Sequence, residues 1–187
     1  MKLAKRIGRE AAPPPDDAAV MSSIAHGDVG ALATLYDRYA AQLTRFVRRV
    51  VGDQDATDIV HTTFLRVVAL AGNYDSSAPS ARGWLFAIVL RVIKEHRRSV
   101  KRWATALLGV AAQPVKQVVV IPEARHDLDH CLLRLTPAKR TVILLAELEE
   151  FTCPEIAEML QIPVGTVWTR LHHARRELRK SYLGDDR

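Results

Sequence analysis

Between Thr152 and Leu178 two helical patterns are separated only by Gln161-Ile162-Pro163. Thr152-Cys153-Pro154-Glu155 has the form of a capping box, in which the Thr hydroxyl and the Glu carboxylate satisfy free backbone N–H groups reciprocally. The short helix "EIAEML" follows. Beyond the turn, Val164, Val167, Leu171, Ala174 and Leu178 fall in one narrow stripe when the chain is wound at ~100° per residue. A short helix, a tight turn and a second helix with an apolar inner stripe predict a helix-turn-helix, with Ala157 where the two helices approach closely. The N-terminal residues of the second helix would then meet base edges in a major groove.

The outward residues suit that task. Opposite the stripe lie Thr166, Thr169, His172, His173, Arg176 and Lys180, with Trp168 and Arg175 along one edge and Arg170 along the other. Arg and His donate to base acceptors or phosphates, Thr hydrogen-bonds or touches a thymine methyl, and Trp offers a large flat surface. The bland alternative is an amphipathic packing helix with a solvated basic face. For Arg170 a pairing with Glu155 across the motif is a competing expectation.

Charge placement points the same way. Lys and Arg number 27 against 21 acids, a net charge of +6, and the excess is concentrated in two places. Arg91–Arg102 carries Arg91, Lys94, Arg97, Arg98, Lys101 and Arg102 against Glu95, and Arg170–Lys180 is the second cluster. Two such segments imply a polyanionic partner such as nucleic acid. Cys131 and Cys153 stand far apart without a CxxC partner, which argues against a disulfide framework or a Cys-based zinc site and suits a reducing cytoplasm. No apolar stretch approaches the ~18 residues of a membrane span.

The rest of the chain is also patterned at intervals of three and four, so the expected class is all-α: two small helical domains joined by a flexible linker. Residues 1–20 read as a flexible tail. A domain over 21–102 holds one helix through "VGALATLYDRYAAQLTRFVRRV" and a second capped by Asp55, with Ile59, Val60, Phe64, Val67 and Val68 inward and Asp58, His61, Leu65 and Arg66 on other faces. The loop "GNYDSSAPS" follows, and a third helix starts near Arg82 with the core stripe Trp84, Leu85, Ile88, Val89 and Val92. Residues 103–123 read as an apolar linker. The second domain, 124–187, opens with Leu128, Cys131, Leu132 and Leu135 at helical spacing, and Thr136 then caps a helix with Pro137 at its first position.

"EIAEMLQIPVGTVWTRLHHARREL" closely resembles the helix-turn-helix of bacterial sigma factors of the extracytoplasmic-function (ECF) group, whose pattern is approximately EIAE-x-L-g-v-P-x-GTVksRLhrAR-x-x-L. "LRLTPAKRTVILLAELEEFT" resembles the preceding helix of that family, and "GDVGALATLYDRYAAQL", "DATDIVHTTFLRVV" and "WLFAIVLRVIKEHRR" follow the order of its polymerase-binding and promoter-melting domain. The resemblance implies a dissociable specificity subunit of RNA polymerase, not an enzyme and without a cofactor. It implies that Asp58, His61, Leu65 and Arg66 dock on core RNA polymerase. Asn73, Tyr74, Arg91, Lys94, Arg97, Arg98, Lys101 and Arg102 would engage the proximal promoter element and its melted strand. The helix from Thr166 to Lys180 would read the distal element in duplex DNA. An anti-sigma protein is a further implied partner, for which the apolar linker and Trp103 offer surfaces. By their chemistry alone, Tyr74 is equally readable as a loop anchor, and Trp84 reads as core rather than as a stacking platform.

The chain departs from the family pattern at Ala56-Thr57-Asp58-Ile59-Val60-His61, where A-E-D-l-v-Q is usual. It also has Arg91 for Asn, Glu95 for Asp, Gln161 for a turn Gly and Trp168 for Lys. Two other readings remain at this point. One is an autonomous helix-turn-helix regulator acting without polymerase. The other is a metal site on "HDLDHC", where His126 and His130 are four apart and share a helix face.

Overall fold

A computed structural model describes residues 16–78, 80–108 and 126–183. Among these the protein is all-helical: α1 (Asp17–Ala25), α2 (Val29–Val51), α3 (Ala56–Leu70), a 3₁₀ turn (Ala71–Asn73), α4 (Arg82–Leu108), α5 (His126–Arg134), α6 (Pro137–Glu147), α7 (Cys153–Leu160) and α8 (Val164–Leu183). Helices α1–α4 pack on one another around Leu35, Leu43, Phe46, Val47, Leu85, Phe86 and Val89. Helices α5, α6 and α7 each pack against α8. The two groups also touch directly, α4 against α7 and α2 against α6.

The first helix lies partly inside the stretch expected to be a tail. Asp16 caps α1 by accepting the Ala19 N–H at 2.7 Å. Val20, Met21 and Ile24 are buried against the bundle, each such side chain contributing roughly 1.5–3 kcal/mol by burial. The acidic, Ala-rich lead-in hid a three-residue apolar face whose spacing is helical. At the other boundary, α4 continues through residues 103–108, which were expected to belong to the linker. Residues 1–15 and 109–125 lie outside the described residues.

Local signals in the chain account for several helix ends. Asp28 accepts the Gly30 and Ala31 N–H groups at the start of α2, and Gly52 ends it with φ 104°, a conformation that favours glycine. The Thr152/Glu155 capping box forms as expected. Two expected caps are made differently. Asp55 makes no cap hydrogen bond and instead lies 3.1 Å from His96 Nε2. Thr136 sits at the N-cap of α6 with Pro137 behind it, but its hydroxyl does not cap.

Three residues expected inward lie open: Val68, Leu128 and Val164 are 45%, 49% and 39% exposed. Val68 and Val164 stand at the margins of their apolar stripes, and Leu128 lies in the first turn of its helix.

Met21→Ala should cost about 2–4 kcal/mol in urea unfolding of the intact chain. An unchanged transition would show that α1 does not belong to the folded core.

Candidate nucleic-acid and polymerase interfaces

On α3, burial of Ile59, Val60, Phe64 and Val67 turns Asp58, His61 and Leu65 to solvent, with Leu65 73% exposed. Arg66 is half-buried because its guanidinium forms a two-pronged ion pair with Glu95 of α4, Nη1 lying 3.0 Å from Oε1. Hydrogen bonding from Arg66 holds the Glu95 carboxyl below its ordinary value. Glu95, where a shorter Asp is usual in the family pattern, is thus the partner that ties α3 to α4.

The loop between the 3₁₀ turn and α4 is internally folded. Asp75 Oδ1 accepts from both the N–H and the hydroxyl of Ser77, at 2.9 and 2.7 Å, an Asx turn. Tyr74 packs edge-on to Trp84 at 5.7 Å, and its hydroxyl faces the Ala78 carbonyl at 3.5 Å. Tyr74 and Trp84 are both half-buried, and Asn73 is exposed. The loop therefore presents Asn73 beside a partly open aromatic pair.

Along α4, Arg91, Lys94, Arg98, Lys101 and Arg102 are exposed, but Arg97 is not. Its guanidinium turns inward and donates to the Val50 carbonyl at 3.0 Å, and burial holds it below its ordinary value. The uniform basic face expected from the sequence is thus broken at one residue. Arg91, Lys94, Arg97 and Arg98 line one wall of a cleft of about 460 Å³, with Met159, Leu160, Gln161, Ile162 and Arg170 opposite. Arg170 faces this cleft, whereas Glu155 serves the capping box, so the expected Arg170–Glu155 pairing is not made.

The turn before α8 is set by its backbone. Gln161 adopts a left-handed φ of 54°, and the Ile162 N–H reaches back to the Ala157 carbonyl at 3.0 Å. Val167, Leu171 and Ala174 are buried, which carries Trp168, Thr169, His172, Arg175, Arg176 and Lys180 to solvent and leaves Thr166 and His173 half-exposed. Trp168 is 57% exposed. Thr169 donates its hydroxyl to the Gly165 carbonyl at 2.9 Å, so its lone pairs and methyl remain outward. Arg175 is held by Glu147, Nη2 2.6 Å from the carboxylate, and Arg176 Nη2 lies 3.4 Å from His173 Nδ1.

Asp129, expected among the candidate metal ligands of "HDLDHC", instead pairs with Arg49 at 3.4 Å. Among the described residues no group of three or more His, Cys, Asp or Glu is placed to hold a metal ion. No helix among them is long and apolar enough to cross a membrane.

Comparison with known proteins is decisive. The family models "Sigma-70 region 2" and "Sigma-70, region 4" match residues 35–104 and 125–178. The ECF RNA polymerase sigma factor SigL of Mycobacterium tuberculosis is 32% identical over 164 residues, covering 85% of this chain and 93% of its own. This protein belongs to the ECF sigma factors. SigW of Bacillus subtilis is 29% identical over 175 residues, covering 86% and 93% of the two chains. The fold is shared with CnrH, solved with the cytosolic domain of CnrY (TM-score 0.65, 24% identity, 91% of this chain and 99% of that one). It is also shared with the sigma factor RpoE of Bartonella quintana, solved with the anti-sigma factor NepR (TM-score 0.69, 21% identity, 85% and 100%). As a sigma factor the chain is a non-enzymatic transcription-initiation subunit that binds RNA polymerase and promoter DNA, and the reading as an autonomous regulator is not favoured.

The sigma factor also carries a polar joint that sequence reading missed. Arg82, at the start of α4, reaches Glu149 between α6 and α7 at 3.1 Å, and Gln42 of α2 donates to the same carboxylate at 2.6 Å. Phe86 and Phe151 stack edge-on at 5.1 Å, with the Arg82 guanidinium 4.3 Å from the Phe151 ring centre. Arg140 of α6, only 6% exposed, donates to Leu132, Leu133, Leu135 and Val50 carbonyls. The only trace of Arg140 in the sequence is a cation on the apolar side of α6. Nothing in the spacing names its acceptors.

In a double-mutant cycle, Arg82→Ala and Glu149→Ala should be coupled by about 1–2 kcal/mol. Strictly additive effects on unfolding would show that the ion pair does not join the two helix groups.

Proposed function

We propose that this sigma factor divides its work between the two helix groups, with α1–α4 and α5–α8 as separate functional domains. The first domain docks on core polymerase through Asp58, His61, Leu65 and Arg66. It holds the melted proximal element with Asn73, Tyr74, Arg91, Lys94, Arg98, Lys101 and Arg102, joined by Arg97 when that residue leaves the Val50 carbonyl. The second reads the distal element with Thr166, Trp168, Thr169, Arg170, His172, His173, Arg175, Arg176 and Lys180. One observation carries the reading: the packing that buries one face of α4 and of α8 leaves most of their basic residues outward, Arg97 excepted, on the two segments that match sigma regions 2 and 4.

The chemistry of each surface suits its role. A melted strand needs cations for its phosphates and a platform for an unstacked base, which α4 and the Asn73–Tyr74 end of the loop supply. Duplex reading needs a helix end with donors and apolar groups directed outward, which α8 supplies. Arg175 already has Glu147 as a partner, so it serves phosphate positioning and leaves base contacts to Trp168, Thr169 and Arg176. The protein works in the cytoplasm, where its polymerase is. An anti-sigma protein is its regulatory partner, as CnrY and NepR are the partners solved with its structural neighbours.

Transcription in vitro with core polymerase tests the assignment. The protein alone should bind promoter DNA weakly, and with core enzyme it should direct start-specific transcripts. Trp168→Ala and Arg176→Ala should change which distal elements are used, by about 1–3 kcal/mol at the positions they read. Equal loss on every promoter would leave Trp168 a packing residue. Arg98→Ala should weaken all promoters alike and lower the salt slope by about one. Arg97→Ala suits that test poorly, because it also removes a buried contact to Val50.

A further inference from the structure

The junction between α1, α2 and α4 contains a buried carboxylate that the docking and reading surfaces do not use. Asp17 is the first residue of α1, and its side chain is 8% exposed. One oxygen accepts from the Arg38 guanidinium of α2 at 2.8 Å. The other accepts from the Tyr39 hydroxyl of α2 and from the backbone N–H of Ala81 at 2.7 Å. Ala81 is fully buried, directly precedes Arg82, and its carbonyl opens the α4 hydrogen-bond ladder. It is also where the chain leaves the strand-opening loop.

We propose that Asp17 is a positioning residue for that loop, locking its exit to α1 and α2 so that Asn73 and Tyr74 are presented in one fixed place to an unstacked promoter base. The inference rests on the reading of Asn73 and Tyr74 given above. The geometry makes Asp17 more than a helix anchor. The loop's entry, the 3₁₀ turn, packs on α1, and its exit is hydrogen-bonded to the first side chain of the same helix. Both ends of the loop are thus referred to one element. The Asp75–Ser77 turn fixes the loop's internal shape, and the Tyr74–Trp84 contact ties it to α4. The Asp17 carboxylate adds a direct tie to α2 through Arg38 and Tyr39.

Ionisation is built in. Burial opposes the charge, but the hydrogen bonds from Tyr39, Ala81 and Arg38 outweigh it and hold the Asp17 carboxyl below its ordinary value of 3.8. Because the folded value is lowered, the stability it contributes is complete above the unfolded value and is lost as pH falls through the folded one. The tie is therefore fully charged at neutral pH.

The test compares holoenzymes carrying the wild-type chain, Asp17→Ala, Asp17→Asn, Asn73→Ala and Tyr74→Ala. Each is assayed for core affinity, for distal-element preference, and for discrimination among single-base variants of the proximal element. Asp17→Ala should reduce proximal discrimination by about tenfold while core affinity and distal preference stay within twofold. Asp17→Asn, which keeps one oxygen for Ala81, should restore part of it. If Asn73→Ala and Tyr74→Ala leave proximal discrimination intact, the reading of the loop itself is wrong. If they lower it and Asp17→Ala does not, the positioning role is overturned. Should Asp17→Ala fail to fold, Asp17→Asn carries the comparison, and full wild-type discrimination in a stable Asn variant overturns the proposal equally.

Discussion

The carbonyl of Val50, in the last turn of α2, receives two guanidinium groups: Arg97 from α4 at 3.0 Å and Arg140 from α6 at 3.3 Å. The last carbonyls of a helix have no partner within it and carry its negative dipole end, so this position attracts cations and must not be left dry. Arg140 simultaneously closes the end of α5 through Leu132, Leu133 and Leu135. One buried side chain therefore terminates helices in both halves of the molecule. The edge-on Phe86–Phe151 stack and the Arg82–Glu149–Gln42 cluster lie across the same seam. Remove Arg140 and each of the four carbonyls loses one donor, although Val50 keeps Arg97 and Leu132 keeps the Leu135 N–H, at a cost of about 1–3 kcal/mol for each group left unsatisfied.

That seam has an electrostatic consequence for DNA binding. Burial pushes both Arg97 and Arg140 below the usual guanidinium value, and the charge of Arg97 adds to the effect on Arg140. Around them the cleft gathers Arg91, Lys94, Arg98 and Arg170, and its described lining contains no carboxylate. Like charges are held close in this arrangement by the packing of the helices that carry them. In the reading proposed above, a phosphate would compete with the Val50 carbonyl for Arg97, a contact between α2 and α4. Arg97 cannot donate to Val50 and to a phosphate with the same N–H.

Much of this was legible in the sequence, and the parts that were not share a cause. The α8 stripe of Val167, Leu171 and Ala174, the Thr152–Glu155 box and the start of α4 at Arg82 follow from periodicity and capping, which are local. Helix α1 was equally local, but its short face of Val20, Met21 and Ile24 was masked by the Pro- and Ala-rich lead-in. What could not be read were partners chosen across the fold. Arg97 looks identical to Arg98 in sequence, yet one is turned inward and the other is exposed, because only the former lies opposite the end of α2. Arg170 and Glu155 are a plausible pair by spacing, but the capping box takes the carboxylate first. Glu149 reads as a surface acid at the end of α6 and is 7% exposed.

The helix-turn-helix shows how a family can hold its geometry while its reading surface changes. Gln161 occupies a left-handed position that glycine would fill without strain, at a cost of order 1 kcal/mol for a residue with a Cβ. The turn is kept because backbone bonds from Gln161 and Ile162 to Glu158 and Ala157 define it and because Ala157, Val167 and Leu171 bury the inner corner. None of these constraints involves the outward face. Trp168 can therefore replace a common Lys without altering the angle at which α8 is presented. If α8 reads the distal element as proposed above, Trp168 exchanges a mobile charge, which would serve any phosphate, for a rigid apolar surface that would reward only a complementary base edge. On that reading the shift would be from affinity toward discrimination, and the exchange is possible because the helix that carries the residue is positioned by side chains on its other side.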